Sequence, residues 1–162
     1  MVPDEYIAYF TAAAAAAGVL IGLLFVAVTL RPESVSGDRG APLAQATAGS
    51  AFTALVNSFF VAIIALIPGT SLGYTAAVMA VVSMYNTIRL HAGIGRRHAP
   101  WILLVVSVVA YLIQLSTGIA LIVAPHEVHL VHNIAYVLIA SFGVALSRAW
   151  TLLRGQRLAR PA

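Results

Sequence analysis

Apolar residues are gathered into five long blocks along the chain, and short polar segments separate these blocks. Each block is long enough, as an α-helix, to cross a hydrocarbon core of about 30 Å. The pattern predicts five membrane-spanning helices, over 6–30, 46–67, 72–90, 101–123 and 129–152. The polar segments are too short to fold into a soluble domain. The predicted fold class is therefore all-α, a single integral membrane helical bundle over 1–162 with no soluble domain.

Proline and glycine mark the boundaries between the blocks. The dipeptide Pro68-Gly69 favours a turn, so the second and third helices are expected to form a tight antiparallel hairpin. Ala124-Pro125 separates the fourth block from the fifth in the same way. The segments 31–42 and 91–100 are interpreted as loops.

Composition agrees with a membrane location. Apolar residues make up 61% of the chain and charged residues 9%, whereas soluble domains carry roughly 25% charged residues. The chain contains neither cysteine nor lysine, which excludes disulfides, thiolate metal sites and Schiff bases on a side chain. The net charge of +4 comes from arginines next to apolar blocks. We interpret them as topology signals, and we expect no nucleic-acid partner.

The arginine positions predict an orientation, because arginine is enriched in segments on the cytoplasmic side. With five crossings and the amino terminus outside, every arginine falls on the inside: Arg31, Arg39, Arg89, Arg96, Arg97, Arg148, Arg154, Arg157 and Arg160. The sequence therefore predicts a multi-pass protein of the inner (plasma) membrane with its amino terminus out and its carboxyl terminus in. Arg148 lies one turn inside the fifth helix, and its long stem is expected to carry the guanidinium to the membrane interface. The alternative for Arg148 is a gate or an anion contact on the inner side.

Small residues recur every four positions in the first block, at Ala14, Gly18 and Gly22. This spacing places them on one helix face, where they allow another helix to approach closely. It predicts a packing seam, either within the monomer or between subunits.

The stretch from Gly18 to Glu33, GVLIGLLFVAVTLRPE, contains a GxxxGLLFVAVxL-type pattern. This pattern resembles the first span of small multi-pass bacterial inner-membrane proteins, which have no assigned activity. The resemblance covers 16 residues and implies a bacterial inner-membrane location without implying an activity.

Polar residues form stripes on the other predicted helices. The fourth helix aligns Ser107, Tyr111, Gln114 and Gly118, and the third aligns Thr75, Met79, Ser83 and Asn86. Four polar residues fall near the predicted mid-depth of the bilayer: Asn57, Ser83, Gln114 and Tyr136. We expect these four to face one another, either as hydrogen bonds between helices or as the lining of a narrow path for an ion or a small polar solute. No Asp, Glu, Lys or His lies at that depth. Proton-coupled pumps usually need such groups there, so their absence favours passive passage over active transport.

Three histidines, His126, His129 and His132, lie near the outer start of the fifth helix. Imidazoles bind zinc, copper or haem iron, so the cluster is a candidate metal or haem site. A polar turn at the membrane interface and a pH-sensing group are the alternatives.

The sequence contains no nucleophile with an adjacent base, no phosphate-binding glycine loop and no paired carboxylates, so we expect no enzymatic activity. The favoured interpretation is a channel-like passive conduit for an ion or small polar solute, surrounded by membrane lipid and assembled as a homo-oligomer. One alternative is an accessory or scaffold subunit of a larger membrane complex. The other is metal or haem binding by the histidine cluster.

Overall fold

A computed structural model of the chain describes residues 2–29, 41–92 and 101–155, and all regular structure in these ranges is helical. A short 3-10 turn, Asp4–Tyr6, precedes the first of five α-helices. The five helices are α1 (Ile7–Thr29), α2 (Ala41–Ala65), α3 (Leu72–Ala92), α4 (Trp101–Val123) and α5 (Val128–Gly155). The predicted all-helical architecture with five long helices is thus confirmed.

Four of the five helices are long and apolar enough to cross a membrane. These candidate spans are Asp4–Thr29, Leu43–Ala65, Trp101–Val123 and Val128–Thr151. α3 is not among them, although it has 21 residues, because polar residues such as Asn86, Arg89 and His91 lower its hydropathy. Length and composition therefore support four crossings, one fewer than the sequence pattern predicts.

The turn between α2 and α3 forms at the predicted dipeptide. α2 ends at Ala65, and Gly69 has a φ of 79°, in the left-handed region that glycine adopts without strain. The Thr70 hydroxyl donates to the carbonyl oxygens of Ile64 and Ile67, at 2.8 and 2.7 Å. These bonds satisfy carbonyls that the end of the helix leaves free. The result is the tight antiparallel hairpin expected from the sequence.

The helices α2, α3, α4 and α5 form a closed ring, in which each helix packs against the next and α5 returns to α2. α1 lies outside this ring and packs mainly on α2, with a smaller contact to α5. The ring therefore encloses the interior of the bundle, and α1 is peripheral.

The packing face of α1 differs from the predicted seam. Ala14 is buried, but Gly18 and Gly22 are exposed, and a Cβ placed on Gly22 would meet no atom within 4 Å. The buried residues of α1 are Phe10, Ala13, Ala14, Ala17 and Leu24. Seating the Phe10 and Leu24 side chains against the ring gains more dispersion contacts than a glycine face offers, and this sets the rotation of α1.

Among the glycine positions, the closest contact between two backbones is that of α3 with α4. A Cβ on Gly73 would lie 2.8 Å from the Gly118 carbonyl oxygen, and a Cβ on Gly118 would lie 2.8 Å from the Ala77 backbone nitrogen. Backbone atoms cannot move aside as a flexible side chain can. Both glycines are therefore required for this contact, which is the kind of close approach predicted for α1.

The interior divides into two halves along the helix axes. We call the part next to the α2–α3 turn the apolar half; its core includes Phe10, Val61, Leu72, Leu121 and Ile134. We call the part around the opposite ends of the ring helices the polar half, because buried polar side chains gather there between α3, α4 and α5. The polar half is built around Thr87, His91, Ser107, Tyr111 and Arg148.

The orientation of the bundle across a membrane remains a prediction. Arg89 and Arg148 lie at the same end of the bundle, as the arginine pattern requires. The structure describes α5 as far as Gly155, but the side chain of Arg154 is not described. Several arginines of the pattern lie outside the described residues: Arg31, Arg39, Arg96, Arg97, Arg157 and Arg160.

Candidate functional site

Asn57 on α2 and Gln114 on α4 bind each other across the middle of the ring. The Asn57 side-chain amide donates to Gln114 Oε1 at 2.9 Å, and the Gln114 amide donates to Asn57 Oδ1 at 3.0 Å. Gln114 also donates to the Ala76 carbonyl oxygen on α3 at 3.0 Å. Both side chains are fully buried. This amide pair ties three helices together where the apolar half meets the polar half.

The other two residues expected at this depth have different surroundings. Ser83 is buried on α3, seven residues beyond Ala76 and therefore about two turns further into the polar half. Tyr136 is 59% exposed, and its ring packs edge-to-face on that of His132. The buried face of α5 carries Ile134, and a residue two positions further along points about 200° away. The structure therefore does not bring Tyr136 to the amide pair.

A second link between helices lies in the polar half, between α2 and α3. The Asn86 side-chain amide donates to Thr53 Oγ1 at 2.6 Å. Thr53 in turn donates its hydroxyl proton to the carbonyl oxygen of Gly49 on its own helix. The Thr53 hydroxyl can thus act as an acceptor within the bundle without losing its own donor bond.

Arg148 on α5 points into the polar half and is only 1% exposed. Its Nη2 atom donates to Ser107 Oγ at 2.8 Å and to the Leu103 carbonyl oxygen at 3.0 Å, both on α4. The expectation that this guanidinium extends to the membrane interface is therefore wrong. Arg148 shares a helix face with the buried residues Ser141 and Ala145, and α4 presents acceptors to that face.

Three polar atoms in the polar half are buried without a hydrogen-bond partner among the described residues. They are Arg148 Nη1, Tyr111 Oη and Thr87 Oγ1. Tyr111 follows Ser107 by one turn of α4. The Thr87 and Tyr111 hydroxyls lie close enough to interact with each other, but they do not meet the geometry of a hydrogen bond. Arg148 is within electrostatic range of both Tyr111 and His91. Three helices thus contribute unsatisfied donors to one buried region.

The sequence stripes identify only part of this cluster. Ser107, Tyr111 and Gln114 form the polar stripe expected on α4, and all three are buried. Thr87 follows Ser83 by four residues, so it continues the same face of α3, but it was not included in the predicted stripe. That four-residue spacing is the signal that could have extended the stripe.

The three histidines do not converge. α5 begins at Val128, so His126 precedes the helix and the three histidines do not lie on one continuous helix. His129 Nδ1 lies 3.2 Å from Glu127 Oε2, with both side chains exposed, and His132 Nδ1 lies 2.9 Å from Tyr6 Oη. No group of three metal-ligating side chains occurs within the described ranges. A metal or haem site here stays a prediction without structural support.

A cavity of about 220 Å³ opens at the apolar end, next to the α2–α3 turn. Gly69, Thr70, Ser71 and Pro125 contribute to its lining. None of the residues predicted to line a conduit or bind a metal contributes to it. The buried polar cluster around Arg148 lies at the other end of the bundle and is the better candidate for a functional site.

The fold and composition define an all-helical protein with four helices that are able, by length and composition, to span a membrane. Comparisons with protein-family models, characterised proteins and solved structures find no match for this chain. The functional argument therefore depends on the residues of the bundle itself.

Proposed function

We propose that the chain is a non-enzymatic, channel-like protein of the bacterial inner membrane. In this proposal all five helices cross the bilayer, with the amino terminus outside and the carboxyl terminus inside. The arginine pattern supports the orientation. The resemblance of the first span to small inner-membrane proteins supports the location.

The lipid-facing surface of α3 supports a fifth crossing. Its polar residues Ser83, Thr87 and His91 are buried in the bundle. The exposed Arg89 lies in its last turn, where a membrane-spanning helix reaches the interface. Its exposed large side chains are mainly apolar: Tyr74, Val78, Val81, Val82, Tyr85 and Ile88. With 21 residues α3 is about 31 Å long, which matches the hydrocarbon core. α3 also lies between α2 and α4, and both of these are candidate spans.

The functional proposal rests on the gathering of buried polar residues in one half of the bundle. Serine, threonine and arginine side chains extend through the polar half as far as the Asn57–Gln114 pair, and an apolar core lies beyond it. We take this arrangement as the closed form of a passive path for an ion or small polar solute, entered from the polar end. The amide pair is its barrier. Ser83 lines the path on the polar side of that barrier. Tyr136 is exposed and is therefore left out of the lining.

Flux into proteoliposomes tests this proposal. In Asn57→Ala and Gln114→Ala, one amide is lost and the space that it filled becomes available to water, so potassium or chloride flux should rise about tenfold or more over wild type. The double variant Asn57→Leu with Gln114→Leu refills the barrier with apolar volume and should show no flux. Thr117→Val, which removes a buried hydroxyl in the apolar half, is the matched control and should behave as wild type.

Glycerol-driven swelling of the same vesicles extends the assay to uncharged solutes. If every variant folds and none passes potassium, chloride or glycerol faster than empty vesicles, the conduit proposal is wrong.

The alternative function is an accessory or scaffold subunit, and the peripheral position of α1 favours it. Gly18 and Gly22 lie on an exposed face of α1, where another transmembrane helix could approach closely. Purification from native membranes distinguishes the two functions. A conduit, whose path lies within one bundle, should be recovered without a larger partner, as the expected homo-oligomer or as a single copy. An accessory subunit should be recovered in a stable complex with a larger membrane protein.

A further inference from the structure

Arg148 is a buried cation without a carboxylate partner in the described part of the chain. The described carboxylates, Asp4, Glu5 and Glu127, lie near the opposite end of the bundle, and the one ion pair recorded there joins Glu127 to His129. Arginine keeps its charge in proteins, so burial cannot be relieved by loss of a proton. A buried charge is strongly unfavourable unless an opposite charge compensates it.

The surroundings of Arg148 offer donors to a ligand. Nη1 of Arg148 and the hydroxyls of Tyr111 and Thr87 are buried and unpartnered, and they come from α5, α4 and α3 respectively. The acceptors closest to the guanidinium, Ser107 Oγ and the Leu103 carbonyl oxygen, are already bound to Nη2. A cation with neutral hydroxyl donors, and with no carboxylate nearby among the described residues, is a suitable environment for an anion.

We propose that Arg148, Tyr111 and Thr87 bind a small monovalent inorganic anion of the halide class between α3, α4 and α5. The anion balances the single charge of Arg148 and accepts hydrogen bonds from the two hydroxyls. All three side chains are at most 1% exposed, so a lipid headgroup with its glycerol cannot reach them. A monatomic anion is the smallest ligand that balances the charge. This inference rests on the proposed conduit only as the route by which the anion reaches the site from the polar end.

Ser107 acts as a positioning residue in this site. It donates its own proton to the Leu103 carbonyl oxygen at 2.8 Å and accepts from Arg148 Nη2. Nη2 is thereby held on α4, and Nη1 is left for the anion. Loss of the Ser107 hydroxyl should weaken anion binding while leaving the charge in place.

Thermal unfolding of the full-length protein in detergent tests the site at constant ionic strength. A ligand that binds the folded state stabilises it, so the unfolding temperature of wild type in chloride or bromide should be about 3 °C or more above that in isethionate. Isethionate is the control anion because it is too large for the site. Arg148→Met should lose this difference. Arg89→Met, which makes the same change at an exposed arginine on α3, should keep it.

Tyrosine variants keep the test valid if Arg148→Met does not fold. Tyr111→Phe removes one donor hydroxyl and retains the ring and the charge, so the halide response should fall by at least half. Tyr9→Phe removes a hydroxyl that donates to the Ala135 carbonyl oxygen in the apolar half, and its halide response should equal that of wild type. An equal response in Tyr111→Phe and Tyr9→Phe would overturn the site.

Bromide anomalous diffraction locates the ion. Density within hydrogen-bonding distance of Arg148 Nη1 supports the proposal, and density on the surface alone contradicts it.

A wild-type protein that gains no stability from halide would also refute the site. Stabilisation by short-chain phosphatidylglycerol but not by chloride would assign the cluster to a lipid phosphate instead. Halide binding without flux would refute only the conduit, and potassium flux without a halide response would refute only the anion site.

Discussion

The apolar and polar halves of the bundle use different physical means to hold the same helices together. In the apolar half, α3 and α4 touch backbone to backbone at Gly73 and Gly118, and close packing of apolar side chains fills the remaining core. In the polar half, a smaller apolar cluster that includes Leu55 and Ala145 is supplemented by specific hydrogen bonds between helices, such as Asn86 to Thr53 and Arg148 to Ser107. The apolar half is therefore suited to a rigid fold, whereas the polar half retains buried donors that can act on a ligand.

The largest effect is expected from Gly118→Ala in the apolar half. Its Cβ would lie 2.8 Å from the Ala77 backbone nitrogen and 2.9 Å from the Gly73 carbonyl oxygen, so α3 and α4 must separate. The cost should be about 3 kcal/mol of unfolding free energy, at the upper end of typical overpacking, measured by thermal unfolding in detergent. Gly143→Ala, where a Cβ meets no atom within 4 Å, should be nearly neutral. Equal losses in both variants would contradict the close contact.

A smaller loss is expected when the amide pair between the halves is broken. Gln114→Leu leaves the buried Asn57 amide without its partner and should cost about 2 kcal/mol. The double variant with Asn57→Leu removes both polar groups and should recover about 1 kcal/mol of that loss. The coupling is obtained from a double-mutant cycle on the free energy of unfolding. Strict additivity of the two single changes would show that the amides do not bind each other.

The link between α2 and α3 in the polar half should contribute less. Thr53→Val keeps the shape of the side chain but removes the acceptor of the Asn86 amide, at an expected cost of about 1 kcal/mol. Thr11→Val is the matched control, because the exposed Thr11 hydroxyl bonds only its own helix at Ile7. If the free energy of unfolding falls no more in Thr53→Val than in Thr11→Val, the Asn86–Thr53 bond does not stabilise the polar half.

The smallest effect is expected on the exposed face of α1. Gly22→Ala meets no atom within 4 Å, and alanine favours helix by up to about 1 kcal/mol over glycine. The isolated bundle should therefore be unchanged or slightly more stable, and its size in detergent should not change. A loss of stability together with dissociation of a larger species would show that a second helix covers this face. That result would place the Gly18 and Gly22 face between copies of this chain.

Sequence periodicity predicts the helices well because each must be long and apolar. It also identifies the buried face of α4, including the contact of Gln114 with Asn57, because a helix with few polar positions points them inward. It fails for α1 and for Tyr136, since the rotation of a mostly apolar helix depends on the shape of its neighbours and not on polarity. The burial of Arg148 is missed for a related reason: a long side chain near a helix end can reach either the interface or an acceptor on another helix.

We expect α3 to cross the membrane with Ser83 and Thr87 inside the bundle and with Arg89 at its inner end. Because the chain has no cysteine, single cysteines at Ser71 and Ala92, exposed positions at the two ends of α3, can be labelled with an impermeant maleimide in intact cells and in inverted vesicles. The account predicts that Ser71→Cys reacts from the outside and Ala92→Cys only from the inside. Labelling of both positions from the same side would contradict it.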